Sequence, residues 1–128
     1  MRLLLDTCTF LWILSDPSKV PGPVLDAFRS PGNAVFLSAA SAWEIALKHA
    51  IGKLPLPFDP VHFVPAQREV HAIQSLDITE EAALHQSRLP VLHRDPFDRL
   101  LVSQSIVEEL TIVTPDPLIT QYGCRTLW

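Results

Sequence analysis

The apolar residues of this chain fall into two kinds of stretch, which alternate along its length. Short continuous apolar or β-branched runs, such as residues 3–5 and 35–37, predict buried strands. Between them lie longer stretches with apolar residues at helical spacing, bounded by Ser, Thr, Asp, Pro or Gly. The predicted strands cover residues 2–5, 34–37, 72–78, 111–114 and 125–128. The predicted helices cover residues 7–16, 23–29, 40–51, 60–69, 80–88, 96–109 and 116–123.

This alternation indicates the fold class. Strands that are apolar throughout, rather than at every second position, are typical of a parallel sheet covered on both faces. We therefore expect an α/β fold in which a parallel sheet of four to five strands is flanked by helices on both faces. The length of 128 residues predicts one domain spanning residues 1–128.

The apolar runs and the cysteines indicate in which cellular compartment the protein works. The longest apolar run, residues 10–14, is far too short to span a membrane, and the run at residues 3–5 leads directly into Asp6 rather than forming a signal peptide. Cys8 and Cys124 lack the spacing of a metal or redox site, as in reduced intracellular proteins. We expect a soluble cytoplasmic protein with no membrane partner. Its apolar content of 48% hints at an oligomer or partner surface.

Two aspartates follow predicted strands. In a parallel sheet, ligands bind beyond the carboxyl ends of the strands. Asp6 follows the first strand and Asp116 follows the strand at 111–114, so both can reach one crevice. Asp116 also precedes a proline, which is how many helices begin, and the sequence leaves the capping role open beside the functional one.

The segment around residues 93–99 holds two acids, two arginines and a histidine. Asp95 precedes a proline and is best explained as a helix cap. Asp98 falls three positions later, where an acid can complete a capping box, but it shares a helix face with Leu101 and Val102. A carboxylate directed towards the core is costly unless it is paired or binds a metal, which favours a functional role for Asp98. His93 is expected to be a surface loop histidine.

Glu44, in the middle of a predicted helix, and the net charge also bear on the function. Glu44 borders an apolar helix face, so either burial or an exposed pair with Lys48 is possible. The net charge of −4 argues against a nucleic-acid partner. However, Asp6, Glu44, Asp98 and Asp116 would account for that charge if they form one cluster, and divalent cations would reverse its local sign.

Five blocks of sequence, in this order and over nearly the whole chain, resemble PIN-domain proteins of the VapC toxin type. They are LLDTCTFLW (4–12), SAASAWEIALK (38–48), GKL (52–54), HRDPFDRLL (93–101) and TPDPLITQY (114–122). The resemblance implies an endoribonuclease dependent on Mg²⁺ or Mn²⁺, which hydrolyses RNA phosphodiester bonds as the toxin of a toxin–antitoxin pair. It also implies a cognate antitoxin protein as partner and a homodimer. One departure is Cys8, where relatives often carry histidine, and it puts a local contact in doubt.

The resemblance carries four acids over as catalytic residues. They are Asp6, Glu44, Asp98 and Asp116. Asp6, Asp98 and Asp116 would bind the metal, because Mg²⁺ prefers carboxylate oxygens, and Glu44 would orient the water or complete the shell of a second ion. Asp95 belongs to the same block but is expected to cap the helix, or to contact the metal-binding residues without binding the metal itself.

Other residues of these blocks are expected to support the acids or to meet the substrate. Thr7, Ser38 and Thr114 would supply hydrogen bonds behind the acids. Arg94 and Arg99 would meet phosphate, and Arg99 alternatively pairs with an acid.

Two other functions stay open. The first is a catalytically inert interaction module of the same fold. The second is a Mg²⁺-dependent phosphatase with a nucleophilic acid after the first strand. Such an enzyme needs a second aspartate two residues later, where this chain has Cys8.

Overall fold

The computed structural model describes residues 1–128 and contains five strands, seven α-helices and two short 3₁₀ turns. The strands are β1 (Arg2–Leu5), β2 (Ala34–Ser38), β3 (Gln74–Leu76), β4 (Thr111–Val113) and β5 (Thr126–Leu127). The helices are α1 (Thr7–Ser15), α2 (Gly22–Arg29), α3 (Ala39–Ala50), α4 (Pro60–Val70), α5 (Glu80–His85), α6 (Pro96–Val107) and α7 (Pro117–Thr120). None of the helices is long and apolar enough to cross a bilayer.

The sheet is parallel throughout, with strand order β3-β2-β1-β4-β5. The chain builds outward from β1 to β3 and then returns to the other side of β1. The direction of winding therefore reverses between β1 and β4, which is where ligand crevices open in such sheets. Leu5 pairs with Val113, so Asp6 and Thr114 leave the sheet side by side.

The strands are apolar throughout because both faces of the sheet are buried. Leu3 and Leu5 point to one face, where Phe10 of α1 is fully buried with side chains of α3 and α4. Leu4 points to the opposite face and packs against Leu101 of α6. The predicted fold class is thus confirmed, with five strands.

Several elements are shorter than predicted, among them α6, β3 and α7. Glu109 has a φ of 55°, in the left-handed region that a helix cannot contain, so α6 ends at Val107. Ala72, between α4 and β3, also has a left-handed φ, of 54°. The strand β3 therefore begins only at Gln74. The last helix is a single turn, Pro117–Thr120.

Candidate functional site

Asp6 lies at the carboxyl end of β1 and is almost completely buried. Its Oδ1 accepts a hydrogen bond of 2.7 Å from the backbone N–H of Thr9, so Asp6 is the N-cap of α1. Its Oδ2 accepts one of 2.5 Å from the Thr114 hydroxyl. Burial raises the pKa of Asp6 despite these hydrogen bonds, and the negative charge of Asp116 adds to the increase.

Asp116 lies beyond β4, on the same edge of the sheet. Its Oδ1 accepts from the backbone N–H of Leu118, so Asp116 does cap α7, a role that the sequence left open. Its own N–H donates to Oγ1 of Thr114 over 3.0 Å. Thr114 therefore contacts both aspartates, as the sequence predicted for a residue that supports the acids.

Glu44 of α3 reaches the same crevice, and both interpretations left open by the sequence apply. Its side chain is only 8% exposed, and its Oε1 accepts a hydrogen bond of 2.6 Å from the Thr7 hydroxyl. Its Oε2 pairs with Nζ of Lys48, whose side chain is 48% exposed. The hydrogen bond to Glu44 raises the pKa of Lys48. The carboxylate is therefore held from inside by Thr7 and from outside by Lys48.

Asp95 and Asp98 have different roles in α6, as predicted. Oδ1 of Asp95 accepts from the backbone N–H groups of Phe97 (2.9 Å) and Asp98 (3.3 Å), which is a helix cap. The Asp98 side chain is 17% exposed. Burial, followed by the negative charges of Asp95, Asp116 and Glu44, raises the pKa of Asp98 to about 6. These effects indicate that Asp98 belongs to the same acidic cluster as Asp116 and Glu44.

His93 is not the surface histidine that the sequence predicted, and this expectation is wrong. Its side chain is 10% exposed and lies between two partners. Nε2 is 3.2 Å from Oδ2 of Asp98, and Nδ1 is 2.7 Å from the hydroxyl of Tyr122. Tyr122 comes 29 residues later in the chain and was not singled out, because nothing near His93 in sequence indicates such a partner.

Ser38 does not contact the acids, which corrects the role expected for it. It is fully buried and caps α3 by accepting from the backbone N–H of Ala40. Its hydroxyl donates to Oε1 of Gln104 over 2.6 Å, and the Gln104 amide in turn donates to the backbone carbonyl of Asp77. Ser38 and Gln104 thus tie β2 to α6 beneath the site.

The two arginines of the segment also differ from each other. Arg94 is exposed. The guanidinium of Arg99 does not pair with an acid, which corrects that alternative. It donates instead to the backbone carbonyls of Gln86 and Pro90, each over 2.9 Å, and to the Tyr122 hydroxyl over 3.0 Å.

Cys8 and an aromatic pair border the acidic cluster. Partial burial raises the pKa of the Cys8 thiol, and so do the nearby charges of Asp6, Glu44 and Asp98. Trp43 and Phe97, which precede Glu44 and Asp98 in sequence, pack edge to face with ring centroids 5.1 Å apart. The contact joins α3 to α6 beside the two carboxylates.

The donor set fits a divalent cation chemically. Hard cations such as Mg²⁺ bind carboxylate oxygens. Burial, with the neighbouring negative charges as a smaller cause, raises the pKa values of Asp6 and Asp98, and a bound cation would stabilise both carboxylates in their charged form. Each Asp6 oxygen accepts one hydrogen bond and has capacity for a further ligand. No three acidic, histidine or cysteine side chains stand close enough together to hold an ion in this conformation. Coordination of one cation by three of these side chains together therefore requires side-chain movement.

Comparison with known proteins identifies the family to which the chain belongs. The family model of the PIN domain matches residues 3–123. Ribonuclease VapC16 from Mycobacterium tuberculosis (strain ATCC 25618 / H37Rv) is 37% identical over 54 residues, which cover 42% of this chain and 38% of that protein. The match thus spans well under half of that relative.

Solved structures are similar over the whole chain. The crystal structure of VapBC2 from Rickettsia felis, bound to a DNA fragment from their promoter, has a TM-score of 0.73 at 14% identity and covers 99% of this chain and 98% of that one. VapBC-1 from nontypeable Haemophilus influenzae has a TM-score of 0.70 at 14% identity, with 99% and 97% covered. At these identities the likeness is one of fold.

Proposed function

Because the chain belongs to the PIN-domain family, we propose that it is a divalent-metal-dependent endoribonuclease that hydrolyses RNA phosphodiester bonds. One observation carries this proposal. Asp6 and Asp116 follow the two strands between which the winding of the sheet reverses, and Asp98 and Glu44 lie close enough to share the same electrostatic environment.

Asp6, Asp98 and Asp116 would hold the cation, with Mg²⁺ or Mn²⁺ as the proposed ion. When bound, such a cation lowers the pKa of a water molecule and offsets negative charge on the phosphate. Asp6 is presented by β1 and fixed by Thr114, so its carboxylate direction is set before any ligand arrives. This preorganisation is what positioning of a reacting group requires.

Glu44 orients the attacking water in this proposal. The hydroxyl of Thr7 holds Oε1 and Lys48 holds Oε2, so the Glu44 carboxylate is fixed in direction. In the reaction, the water oxygen bonds to phosphorus while the P–O3′ bond breaks. The proton released by the water and the one taken up by the 3′ oxygen balance each other.

We also propose that the protein is the toxin of a toxin–antitoxin pair, acts in the cytoplasm, forms a homodimer and is restrained by a cognate antitoxin protein. Support comes from three exposed apolar residues, Trp43 and Leu47 of α3 and Ile51 directly after it, which recur at four-residue spacing. Exposed apolar patches of this kind mark protein–protein contacts. The oligomeric state is checked by analytical ultracentrifugation of the purified chain.

The test of the nuclease proposal is cleavage of end-labelled RNA by the purified chain. We expect cleavage with Mg²⁺ or Mn²⁺, none with EDTA, and none by Asp6→Asn with either ion. Asp26→Asn, which changes an exposed aspartate of α2, is the matched control and should cleave like the wild type. Cleavage that persists in EDTA or in Asp6→Asn would sink the proposal. A folded chain that never cleaves RNA would favour the inert interaction module instead.

A further inference from the structure

A chain of hydrogen bonds leads from the guanidinium of Arg99 to the carboxylate of Asp98. Arg99 follows Asp98 in α6, yet its side chain is directed away, to the hydroxyl of Tyr122. Arginine has only donors, so the Tyr122 oxygen must be the acceptor in this contact. The Tyr122 hydroxyl proton is then available for another partner.

That partner is His93, and the direction of the bond sets the state of the imidazole. Nδ1 of His93 is 2.7 Å from the Tyr122 oxygen, and in a neutral ring it accepts the hydroxyl proton, because Nε2 faces a carboxylate oxygen that can only accept. A neutral imidazole has one donor and one acceptor nitrogen, so the ring proton lies on Nε2. Nε2 is the nitrogen that faces Oδ2 of Asp98 over 3.2 Å. Every donor in this sequence of contacts therefore meets an acceptor.

We infer that His93, held in its Nε2–H tautomer by Tyr122 and Arg99, is a positioning residue that directs the Asp98 carboxylate into the acidic crevice. The effect of His93 on catalysis rests on the proposed nuclease function, whereas the hydrogen-bond arrangement does not. Histidines that are fixed in one tautomer by a second partner orient ligand groups in the same way.

The Asp98 carboxylate needs such a constraint. It lies in the first turn of α6 near the negative charges of Asp95 and Asp116, which repel it. Aspartate has only two side-chain torsions, so one directional hydrogen bond is enough to select a rotamer. The Nε2–H group of His93 provides that bond.

Arg99 also fixes the loop that carries His93. Its guanidinium donates to the carbonyl oxygens of Gln86 and Pro90, at the start of the segment that leads to His93. The loop is thus attached to α6 one residue beyond Asp98. Consequently, His93 and Asp98 keep their relative positions although the segment between them lacks regular structure before residue 96.

The tautomer is the first quantity to measure, because it needs no RNA and no metal. Two-bond ¹H–¹⁵N correlation spectra at pH 8, in EDTA, distinguish the two neutral tautomers and the imidazolium. We expect Nε2–H for His93 in the wild type and a smaller share of Nε2–H in Tyr122→Phe, where only the Asp98 carboxylate still favours that tautomer. His93 as Nδ1–H or as imidazolium in the wild type, or an unchanged tautomer in Tyr122→Phe, would overturn the inference.

Steady-state RNA cleavage then tests the consequence for Asp98. His93→Leu removes the donor and is expected to lower kcat roughly 10–100-fold, with KM for RNA unchanged. His93→Gln places an amide N–H about where Nε2–H stood and should recover most of kcat. His62→Gln, which changes an exposed histidine of α4, is the matched control. Unfolding curves establish whether each variant is folded. If His93→Leu does not fold, Tyr122→Phe and His93→Gln still decide the test.

Two results would count against the positioning role. One is a folded His93→Leu variant with wild-type kcat, and the other is an equal loss of kcat in His93→Leu and His93→Gln. Failure of the nuclease proposal is distinguishable from both. In that case the wild type does not cleave RNA at all, and the tautomer spectra still decide whether the hydrogen bonds run as inferred.

Discussion

The hydroxyl of Thr114 donates a hydrogen bond to Oδ2 of Asp6 across 108 residues of sequence. Both residues are buried at the carboxyl ends of neighbouring strands, β4 and β1. Oγ1 of Thr114 in turn accepts a hydrogen bond from the backbone N–H of Asp116. One hydroxyl thus fixes two of the candidate metal ligands relative to each other, at the point where the winding of the sheet reverses.

Thr114→Val should lower both stability and RNA cleavage. Valine fills the same space, so the change removes the hydroxyl without leaving a cavity. It leaves Oδ2 of Asp6 without its buried donor, which costs roughly 1–3 kcal/mol of the free energy of unfolding. Urea unfolding and cleavage of labelled RNA measure the two effects. Thr114→Ser retains the hydroxyl and should behave nearly like the wild type, and a valine variant with undiminished stability would show that the bond contributes nothing.

Asp98→Asn should stabilise the protein while abolishing cleavage. The pKa of Asp98 is about 6 in the folded protein against an ordinary value of 3.8, so the unfolded chain loses this proton first. Stability is therefore lost as the pH rises from about 4 to about 6, and the full penalty remains above that. Removing the charge should recover on the order of 2 kcal/mol at pH 7.5.

The pH dependence provides the control for this prediction. In EDTA, the stabilisation by Asp98→Asn should shrink on lowering the pH below about 6 and be mostly lost near pH 4, because the wild-type carboxyl is then protonated in the folded state and partly protonated in the unfolded chain. Asp26→Asn should show no such trend. Thermal unfolding between pH 4 and pH 8 measures both variants. A gain in the free energy of unfolding that is equal at all pH values, or a destabilised Asp98→Asn at pH 7.5, would contradict the raised pKa of Asp98.

Position along the chain was enough to predict the strand-end acids. Asp6 and Asp116 follow strands that the apolar pattern identifies, and parallel strands bring their carboxyl ends to one edge. The Asp95 cap was equally predictable, because a cap bonds to residues two and three positions away. Local and topological signals therefore suffice for the sheet and for the position of the two acids at its carboxyl edge.

The hydrogen-bond partners of His93 and Ser38 could not be predicted in the same way. His93 was expected at the surface because its partner Tyr122 is 29 residues distant and the arrangement depends on how α7 packs on α6. Ser38 was expected beside the acids but donates to Gln104, 66 residues away. Such pairings depend on the final packing of side chains, and no pattern in one sequence encodes them.

Thr7→Val should be more damaging than Lys48→Met, although both remove a partner of Glu44. The Thr7 hydroxyl bonds to Glu44 in the buried interior, and its loss leaves Oε1 without a donor at a cost of roughly 1–3 kcal/mol. Lys48 is half exposed, where ion pairs contribute about 0–1 kcal/mol. Urea unfolding of the two variants, together with their kcat for RNA, makes the comparison. Equal costs would show that solvent reaches Glu44 from both sides.

Asp95→Ala separates helix capping from catalysis. The change removes the acceptor of two backbone N–H groups and should cost about 0.5–2 kcal/mol. It should also lower the pKa of Asp98, since the charge of Asp95 contributes to raising it. Cleavage should be reduced but retained, because Asp98 keeps its bond to His93.

Asp59→Ala is the matched control for this change. Asp59 caps α4 in the same Asp-Pro arrangement, with Oδ1 accepting from the backbone N–H of Val61. Its removal should cost a similar free energy of unfolding and leave RNA cleavage unchanged. If Asp95→Ala instead abolishes cleavage as completely as Asp98→Asn while the fold stays intact, Asp95 itself acts in the crevice, since the loss of a cap alone cannot produce that result.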